Sequence, residues 1–145
     1  MALVRRTLVI LMWFSCICIN VTADSDTTIV YKICNGIKVG FGSIYDAEVN
    51  DVLQDLVSKT ADNGFNFYRQ STDLGQSCYG HAACNGAISH YDCFTCLQAA
   101  RYDLTDGCPQ NTGAQVQLKD CRMRYENYPF TESVKGHRLQ HQECC

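Results

Sequence analysis

One stretch decides the fold of this chain: Cys84-Asn-Gly-Ala-Ile-Ser-His-Tyr-Asp-Cys93-Phe-Thr-Cys96, a C-x8-C-x2-C run. Ser89 followed three residues later by Asp92 predicts the N-terminal cap of a helix, with the Ser89 hydroxyl accepting from free backbone amides. Cys93 and Cys96 then share one face of the helix, which we expect to turn toward the core. We interpret the stretch as a disulfide hub.

The first 23 of the 145 residues have the composition of a secretory signal peptide. Two arginines precede an apolar run at residues 8–19, and Val21-Thr22-Ala23 supplies small residues for cleavage. The apolar run is shorter than the roughly 20 residues that a membrane-spanning helix needs. We therefore predict cleavage after Ala23 and a secreted, extracellular product.

Cleavage would change the formal net charge from −3 to −5, because the removed segment carries two arginines and no acidic residue. An acidic product argues against binding to nucleic acid or to anionic membranes. Removal of Cys16 and Cys18 would leave nine of the 11 cysteines. Nine cysteines in a small secreted domain predict a disulfide framework with one thiol left over.

The periodicity of the remaining chain changes between that of strands and that of helices. Apolar residues at helical spacing predict helices at residues 43–60 and 89–106. Strands are predicted where β-branched and aromatic residues cluster or alternate, at residues 28–34, 65–70, 78–84 and 114–126.

Two details refine these strands. Gly80 should allow a neighbouring element to approach closely. In the strand at 114–126, Val116 and Leu118 fall on one face whereas Cys121 and Met123 fall on the other, which predicts a bulge or strong twist near residues 119–120. The element order predicts an α+β fold, with two helices packed on one face of a roughly five-stranded antiparallel sheet and fastened by disulfides.

These residues resemble the ginkbilobin family, the plant cysteine-rich secretory or stress-antifungal domain. Besides the C-x8-C-x2-C run, the resemblance is carried by Tyr79-Gly80, by Ala114-Gln-Val-Gln-Leu-Lys-Asp-Cys121 and by Arg124-Tyr-Glu126. It covers about residues 34–130. The expected organisation is therefore a signal peptide at 1–23, one domain at 24–130 and a cysteine-containing tail at 131–145.

The resemblance implies three disulfides, which the sequence alone could not choose because eight cysteines already allow 105 pairings. The implied bridges are Cys34–Cys108, Cys84–Cys93 and Cys96–Cys121. Three cysteines remain outside this set: Cys78, Cys144 and Cys145. We expect Cys78 to bond one of the two tail cysteines, which leaves the last thiol free, capped or intermolecular.

Some members of the family bind mannose, and the resemblance places the sugar-contacting asparagine, arginine and glutamate at Asn35, Gln115 and Glu126. Gln115 is a departure, because a neutral amide replaces a charged guanidinium. Each charge-assisted hydrogen bond lost in this way costs about 1.5–3 kcal/mol. Basic residues that could restore the charge follow on the same segment: Lys119, Arg122 and Arg124.

Each of the three positions also has a plain structural interpretation. Asn35 is typical of an Asn-Gly turn, Gln115 of the surface of a strand, and Glu126 of a solvated charge at a strand end. The sequence does not choose between these interpretations and sugar contact.

Two other kinds of site could use the same residue types. Cys93-Phe-Thr-Cys96 at a helix N-terminus resembles a redox dithiol, but the secretory context and the separate partners Cys84 and Cys121 argue against it. His137, His141 and the two tail cysteines have spacings that zinc could use, but oxidised cysteines cannot be ligands. We predict no metal and no cofactor.

No catalytic motif of the G-x-S-x-G or H-E-x-x-H type occurs, and we predict that the protein is not an enzyme. The leading hypothesis is a plant defence protein of the apoplast that binds mannose-containing glycans of microbial walls, with antifungal activity as a consequence of binding. The alternative is an apoplastic interaction module that has lost sugar binding and docks on a receptor ectodomain or on itself, as a homodimer.

Overall fold

The computed structural model describes residues 24–71 and 75–132. It contains five strands and two helices in the order β1 (Ile29–Cys34), α1 (Ile44–Lys59), β2 (Asn66–Ser71), β3 (Cys78–Cys84), α2 (His90–Gly107), β4 (Ala114–Leu118) and β5 (Cys121–Glu126). The predicted signal peptide and most of the predicted tail lie outside the described residues. Within them, no helix combines the length and the apolar character that crossing a membrane requires.

Helix α1 forms where the apolar spacing predicts it. The Ser43 side chain caps the helix by accepting from the Asp46 amide at 3.2 Å. The side chains that recur every three or four residues are buried: Val49, Val52, Leu53, Leu56 and Val57. After the helix, Gly64 adopts a φ of 71°, a left-handed conformation that suits glycine and lets the chain turn into β2.

Helix α2 begins at the predicted cap. The Ser89 hydroxyl accepts from the Asp92 amide at 3.1 Å and donates to the Asp92 carboxylate at 2.6 Å. Cys93 and Cys96 are fully buried on the core-facing side of the helix, as the three-residue spacing predicts. Both sulfurs therefore lie on the face of the helix that packs against the sheet.

The five strands form one antiparallel sheet in the order β1-β4-β5-β3-β2, with β1 and β2 at its two edges. Both helices pack on the same face of this sheet, and the core lies between them. Gly80 lies at the closest approach of α1, because a Cβ there would be 2.3 Å from a Val52 methyl group. The predicted architecture and the predicted role of this glycine are confirmed.

One sequence prediction is wrong. Residues 114–126 are not one bulged strand but the hairpin β4–β5, which reverses direction at residues 119–120. Because the chain reverses, Leu118 and Cys121 flank the turn and face the same side. Val116 and Met123, predicted on opposite faces, pair across the hairpin and are both buried against the helices.

The three disulfides that the resemblance implies are present. Cys34–Cys108 joins the end of β1 to the end of α2, and Cys84–Cys93 joins β3 to the first turn of α2. Cys96–Cys121 joins α2 to the start of β5. Helix α2 is therefore attached to three strands of the sheet.

Candidate functional site

The face of the sheet that the helices leave uncovered, here called the outer face, carries the candidate site. The strand registers align its side chains in rows that run across the sheet. The central row contains one residue from each strand, and each is the Cα partner of the next across the sheet. Its members, from β1 to β2, are Ile33, Gln115, Arg124, His81 and Tyr68. Asn35 and Glu126 lie in the neighbouring row, at the end of the sheet where β1 and β5 stop.

Asn35 and Glu126 converge on Gly113. The backbone N–H of Asn35 donates to the Gly113 carbonyl at 3.0 Å, so the two residues are neighbours across the ends of β1 and β4. A Cβ added at Gly113 would lie 1.9 Å from Glu126 Oε2 and 3.0 Å from Asn35 Nδ2. Only glycine leaves room for this carboxylate and this carboxamide to approach each other.

The Asn35 side chain also supports the turn that follows β1. Its Oδ1 accepts from the Ile37 amide at 3.1 Å, and its Nδ2 donates to Thr112 Oγ1 at 2.8 Å. The amide nitrogen of a carboxamide carries two protons, and the bond to Thr112 needs one of them. The turn interpretation of Asn35 is therefore correct, and it is compatible with a contact to a ligand.

Two buried tyrosines hold the loop that carries Gly113. Tyr45 Oη donates to the Thr112 carbonyl at 2.6 Å, and Tyr125 Oη donates to the Asn111 carbonyl at 3.1 Å. Burial raises the pKa of both phenols above their ordinary value, so they remain donors at any physiological pH. The core beneath the sheet thus fixes the position of the Asn35–Gly113–Glu126 cluster.

Gln115 lies in the central row rather than with the other two predicted residues. It is partly buried and lines a small cavity of about 20 Å³, together with Arg124 and Glu132. Of the predicted trio, the structure brings Asn35 and Glu126 together and places Gln115 one row away, opposite Arg124.

The sequence offers three basic residues that could supply the charge missing at Gln115, and the structure shows that Arg124 is the one that contacts Glu126. Its Nε and Nη2 both lie 3.0 Å from Glu126 Oε1, and its Nη1 lies 3.2 Å from Glu132 Oε1. Burial opposes the charge, but the hydrogen bonds to the two carboxylates outweigh it and raise the pKa of Arg124. The sequence does contain a signal for this contact: Arg124 and Glu126 are two residues apart on one strand, and residues i and i+2 of a strand share a face.

Lys119 is directed elsewhere, whereas Arg122 lines the same small cavity as Gln115 and Arg124. Lys119 lies in the hairpin turn and pairs with Asp26 at 3.0 Å. Arg122 lies on the outer face in the row beyond Arg124, where its Cα partners are Gln117 and Ala83. Among the three, Arg124 is the residue whose guanidinium contacts the Glu126 carboxylate.

Aromatic rings border the Arg124–Glu126 pair. The guanidinium of Arg124 lies 4.3 Å from the centre of the Phe130 ring. Tyr68 stacks on His81 with ring centres 4.1 Å apart, and its hydroxyl accepts from the Glu132 amide at 3.0 Å. The segment after β5 is therefore bound to the outer face, and the site combines charged groups with apolar ring surfaces.

The cysteines outside the three bridges do not form a chemical site in the described chain. Cys78 is fully buried, and burial raises the pKa of its thiol to about 12. Its predicted partners, Cys144 and Cys145, lie outside the described residues, as do His137 and His141. Cys93 and Cys96 bond to separate partners, which agrees with the argument against a redox dithiol. Residues 24–71 and 75–132 contain no cluster that could hold a metal ion.

Comparison with known proteins gives a consistent result. Residues 33–128 match the family model described as salt stress response/antifungal. The antifungal protein ginkbilobin-like protein 1 of Picea glauca is 33% identical over 74% of this chain and 78% of its own length. Antifungal protein ginkbilobin-2 of Ginkgo biloba is 32% identical over 75% of this chain and 83% of its own.

Solved structures share the fold. The tandem DUF26 ectodomain of the Arabidopsis thaliana cysteine-rich receptor-like protein PDLP8 superposes with a TM-score of 0.62 at 31% identity. That of PDLP5 gives the same TM-score at 25% identity. The similarity covers 70% and 71% of this chain but only 46% and 51% of those chains, so this chain spans about half of each tandem ectodomain.

Proposed function

Because this chain belongs to the salt stress response/antifungal family, we propose that it is a secreted plant defence module that binds mannose-containing glycans on the outer face of its sheet. Relatives with secretory and ectodomain names support the extracellular location. Binding, and no chemical reaction, is the activity that we assign to the site.

One observation carries the proposal: Arg124 holds the Glu126 carboxylate over Gly113, on the side where the Asn35 carboxamide also lies. Arg124 engages Oε1, whereas Oε2 faces Gly113 and the Asn35 carboxamide. A carboxylate oxygen beside an amide donor can accept from one sugar hydroxyl while the amide donates to the next. Glu126 is only 7% exposed, so a sugar would reach it from the side of the exposed Asn35.

Arg124 supplies the charge that Gln115 lacks. Its Cα is the direct cross-strand partner of the Gln115 Cα, so a guanidinium is present in the same row, one strand away from position 115. Its bonds to Glu126 hold the carboxylate in place from β5, and in this proposal they take the part that an arginine at position 115 would take from β4. In this proposal Gln115 contributes a neutral amide at the margin of the site.

The test is a titration of mannose and yeast mannan into the secreted chain, followed by amide NMR shifts. We expect the shifts to cluster at Asn35, Gly113 and Glu126. Glu126→Gln should abolish them, because it keeps the shape and removes the charge. Arg124→Gln should weaken binding about tenfold or more, since it removes charge-assisted hydrogen bonds worth about 1.5–3 kcal/mol each.

Arg101→Gln is the matched control, because Arg101 lies on α2, on the opposite side of the sheet from the site, where it bonds to Gln54. It should bind mannose as the wild type does. The exchange variant Gln115→Arg/Arg124→Gln returns the guanidinium to β4 and should recover part of the binding. A wild type that gives no shifts, with binding only in the exchange variant, would refute mannose recognition by this chain.

The second candidate function is an extracellular protein interaction module. It is favoured by the exposed apolar side chains of β1, among them Val30, 59% exposed, and Ile33, 51% exposed. The tandem receptor-like ectodomains that share the fold are consistent with such a role. Loss of a partner on changing β1, with mannose binding absent in every variant, would favour this function.

A further inference from the structure

The strand β1 is an exposed sheet edge with apolar side chains. It pairs with β4 on one side only, and all six of its residues are exposed. Four of the side chains are large and apolar, with exposed fractions of 45% or more: Ile29, Val30, Tyr31 and Ile33. A free apolar edge of this kind is a template for pairing with another strand, and proteins usually protect such edges.

The free backbone groups of β1 can be assigned from the ladder. The Asn35 amide donates to the Gly113 carbonyl, so in the alternating pattern of antiparallel pairing Ile33 and Tyr31 also bond toward β4. The amide and carbonyl groups of Lys32 and Cys34 then point away from the sheet. These groups are available to a further strand.

We propose that β1 pairs antiparallel with β1 of a second copy of this chain, so that the dimer contains one continuous sheet across the interface. Antiparallel pairing of a strand with itself obeys two-fold symmetry and closes the assembly at two copies. Each copy thereby satisfies the free edge of the other.

The charges of the segment favour this self-complementary arrangement. Asp24 precedes β1, whereas Lys38 lies beyond its end; Asp26 is already paired with Lys119 of its own chain. Antiparallel pairing brings the acidic start of each segment to the basic end of the other. A register centred on Lys32 would oppose two lysines, which is unfavourable, whereas one centred on Tyr31 opposes two aromatic rings.

The protein's own tail is a poor occupant of this edge. The chain leaves the described region at Glu132, which is bonded to Tyr68 on β2 at the opposite edge of the sheet. Residues 133–145 are mostly polar, with Val134 and Leu139 as their only aliphatic residues. They therefore offer little apolar surface to cover β1. The tandem form of the related ectodomains also shows that this unit occurs beside a second unit.

The symmetry of the pairing has a consequence for the outer face. Because the two-fold axis is perpendicular to the continuous sheet, both outer faces point to the same side. The two β5 strands are separated by five strand spacings, which is about 24 Å. If the proposed glycan site is correct, the dimer presents two weak sites to one surface, and avidity strengthens binding to mannan relative to free mannose. The dimer itself does not depend on sugar binding.

The test combines sedimentation equilibrium of the secreted chain with amide hydrogen exchange at several protein concentrations. We expect a reversible dimer that is not linked by a disulfide on a non-reducing gel. The Lys32 amide, which lies opposite Val30 of the other copy in the register centred on Tyr31, should exchange more slowly as the concentration rises. Tyr31→Lys should weaken dimerisation about tenfold or more, because two like charges would then face each other.

Tyr102→Lys is the matched control: Tyr102 is 66% exposed on α2, and the same exchange there should leave the dimer unchanged. A monomer with fast exchange at Lys32 overturns the proposal. A monomer with slow exchange there also overturns it, because the chain would then cover its own edge. So does a dimer that survives Tyr31→Lys or that disappears on reduction.

Discussion

Acidification should destabilise the protein through His81. This residue lies in the central row of the outer face but is only 1% exposed. Tyr68 stacks on the His81 ring, and His81 Nε2 lies 2.6 Å from Asn66 Oδ1. Burial, with a smaller contribution from the positive charge of Arg122, lowers the pKa of His81 to about 4. The native protein therefore holds this imidazole neutral.

The sign and size of the effect follow from linkage. The ordinary pKa of 6.5 applies to the unfolded chain, so between pH 6.5 and 4 the unfolded state binds a proton that the folded state does not. The stabilisation is complete above pH 6.5 and is lost as the pH falls toward 4. The loss should reach about 2 kcal/mol at pH 5 and about 3 kcal/mol below pH 4.

Other titrating groups act in a lower range of pH. A hydrogen bond from the Thr28 side chain is the main cause that lowers the pKa of Asp26 to about 2, and bonding to Lys59 and Arg69 lowers that of Asp55. The stability from these carboxylates is lost only as the pH falls below about 4. Near His81, Arg124 disfavours the imidazolium and Glu132 favours it. The window from pH 6.5 to 4.5 therefore reports mainly on His81.

The assay is urea unfolding at pH 7, 6, 5 and 4.5. The wild type should lose about 2 kcal/mol of unfolding free energy between pH 7 and pH 5. His81→Gln should be less stable at pH 7 but nearly independent of pH in this range. His90→Gln is the control, because His90 lies on the exposed surface, and it should keep the wild-type dependence. A His81→Gln variant that falls as steeply as the wild type would refute the reasoning.

Three further outcomes are expected. Gly113→Ala should displace the carboxylate of the candidate site and reduce mannose binding at least tenfold in the NMR titration, whereas Gly86→Ala, with open space around it, should bind normally. Gly80→Ala should cost about 1–3 kcal/mol in urea unfolding, because its methyl group overlaps α1; an unchanged midpoint would contradict this packing. Cys96→Ala with Cys121→Ala should cost about 3.5 kcal/mol, for a bridge that spans 25 residues, and a loss below about 1 kcal/mol would show that the bridge is not structural.

The helices could be predicted because their signals are local. The apolar residues of α1 repeat within one segment, and the Ser89–Asp92 cap of α2 involves residues three positions apart. The pairing of cysteines is not local: Cys34 and Cys108 are separated by 74 residues. Only the family resemblance could supply those pairs, because nothing near either cysteine selects its partner.

The hairpin β4–β5 was missed because its turn carries no strong signal. Lys119-Asp120 is not one of the Asn-Gly or Asp-Gly pairs typical of two-residue hairpins. Without a recognised turn, the apolar residues change from even positions up to Leu118 to odd positions from Cys121, and this change predicts a bulge within one strand. A two-residue reversal produces the same change of parity, since the residues on either side of the turn face the same side of the sheet.

The same hairpin explains why the sequence could not assign Arg124. Whether residue 124 faces Gln115 depends on the register of β4 against β5, and that register is set by the position of the turn. Asn35 and Glu126 could be placed by resemblance because the family has the same residue types there. Arg124 is also part of the resemblance, in Arg124-Tyr-Glu126, but whether it lies opposite Gln115 could be read only from the three-dimensional register.

The relation between positions 115 and 124 has a consequence for the charge of the site. Arg124 contacts Glu126 along its own strand, two residues away, so this ion pair does not depend on the register of β4. An additional arginine at position 115 would face Arg124 directly across the strands, and like charges in that position are destabilising. One guanidinium in the central row is therefore favoured over two, and the neutral Gln115 is the complement of Arg124 rather than an isolated loss.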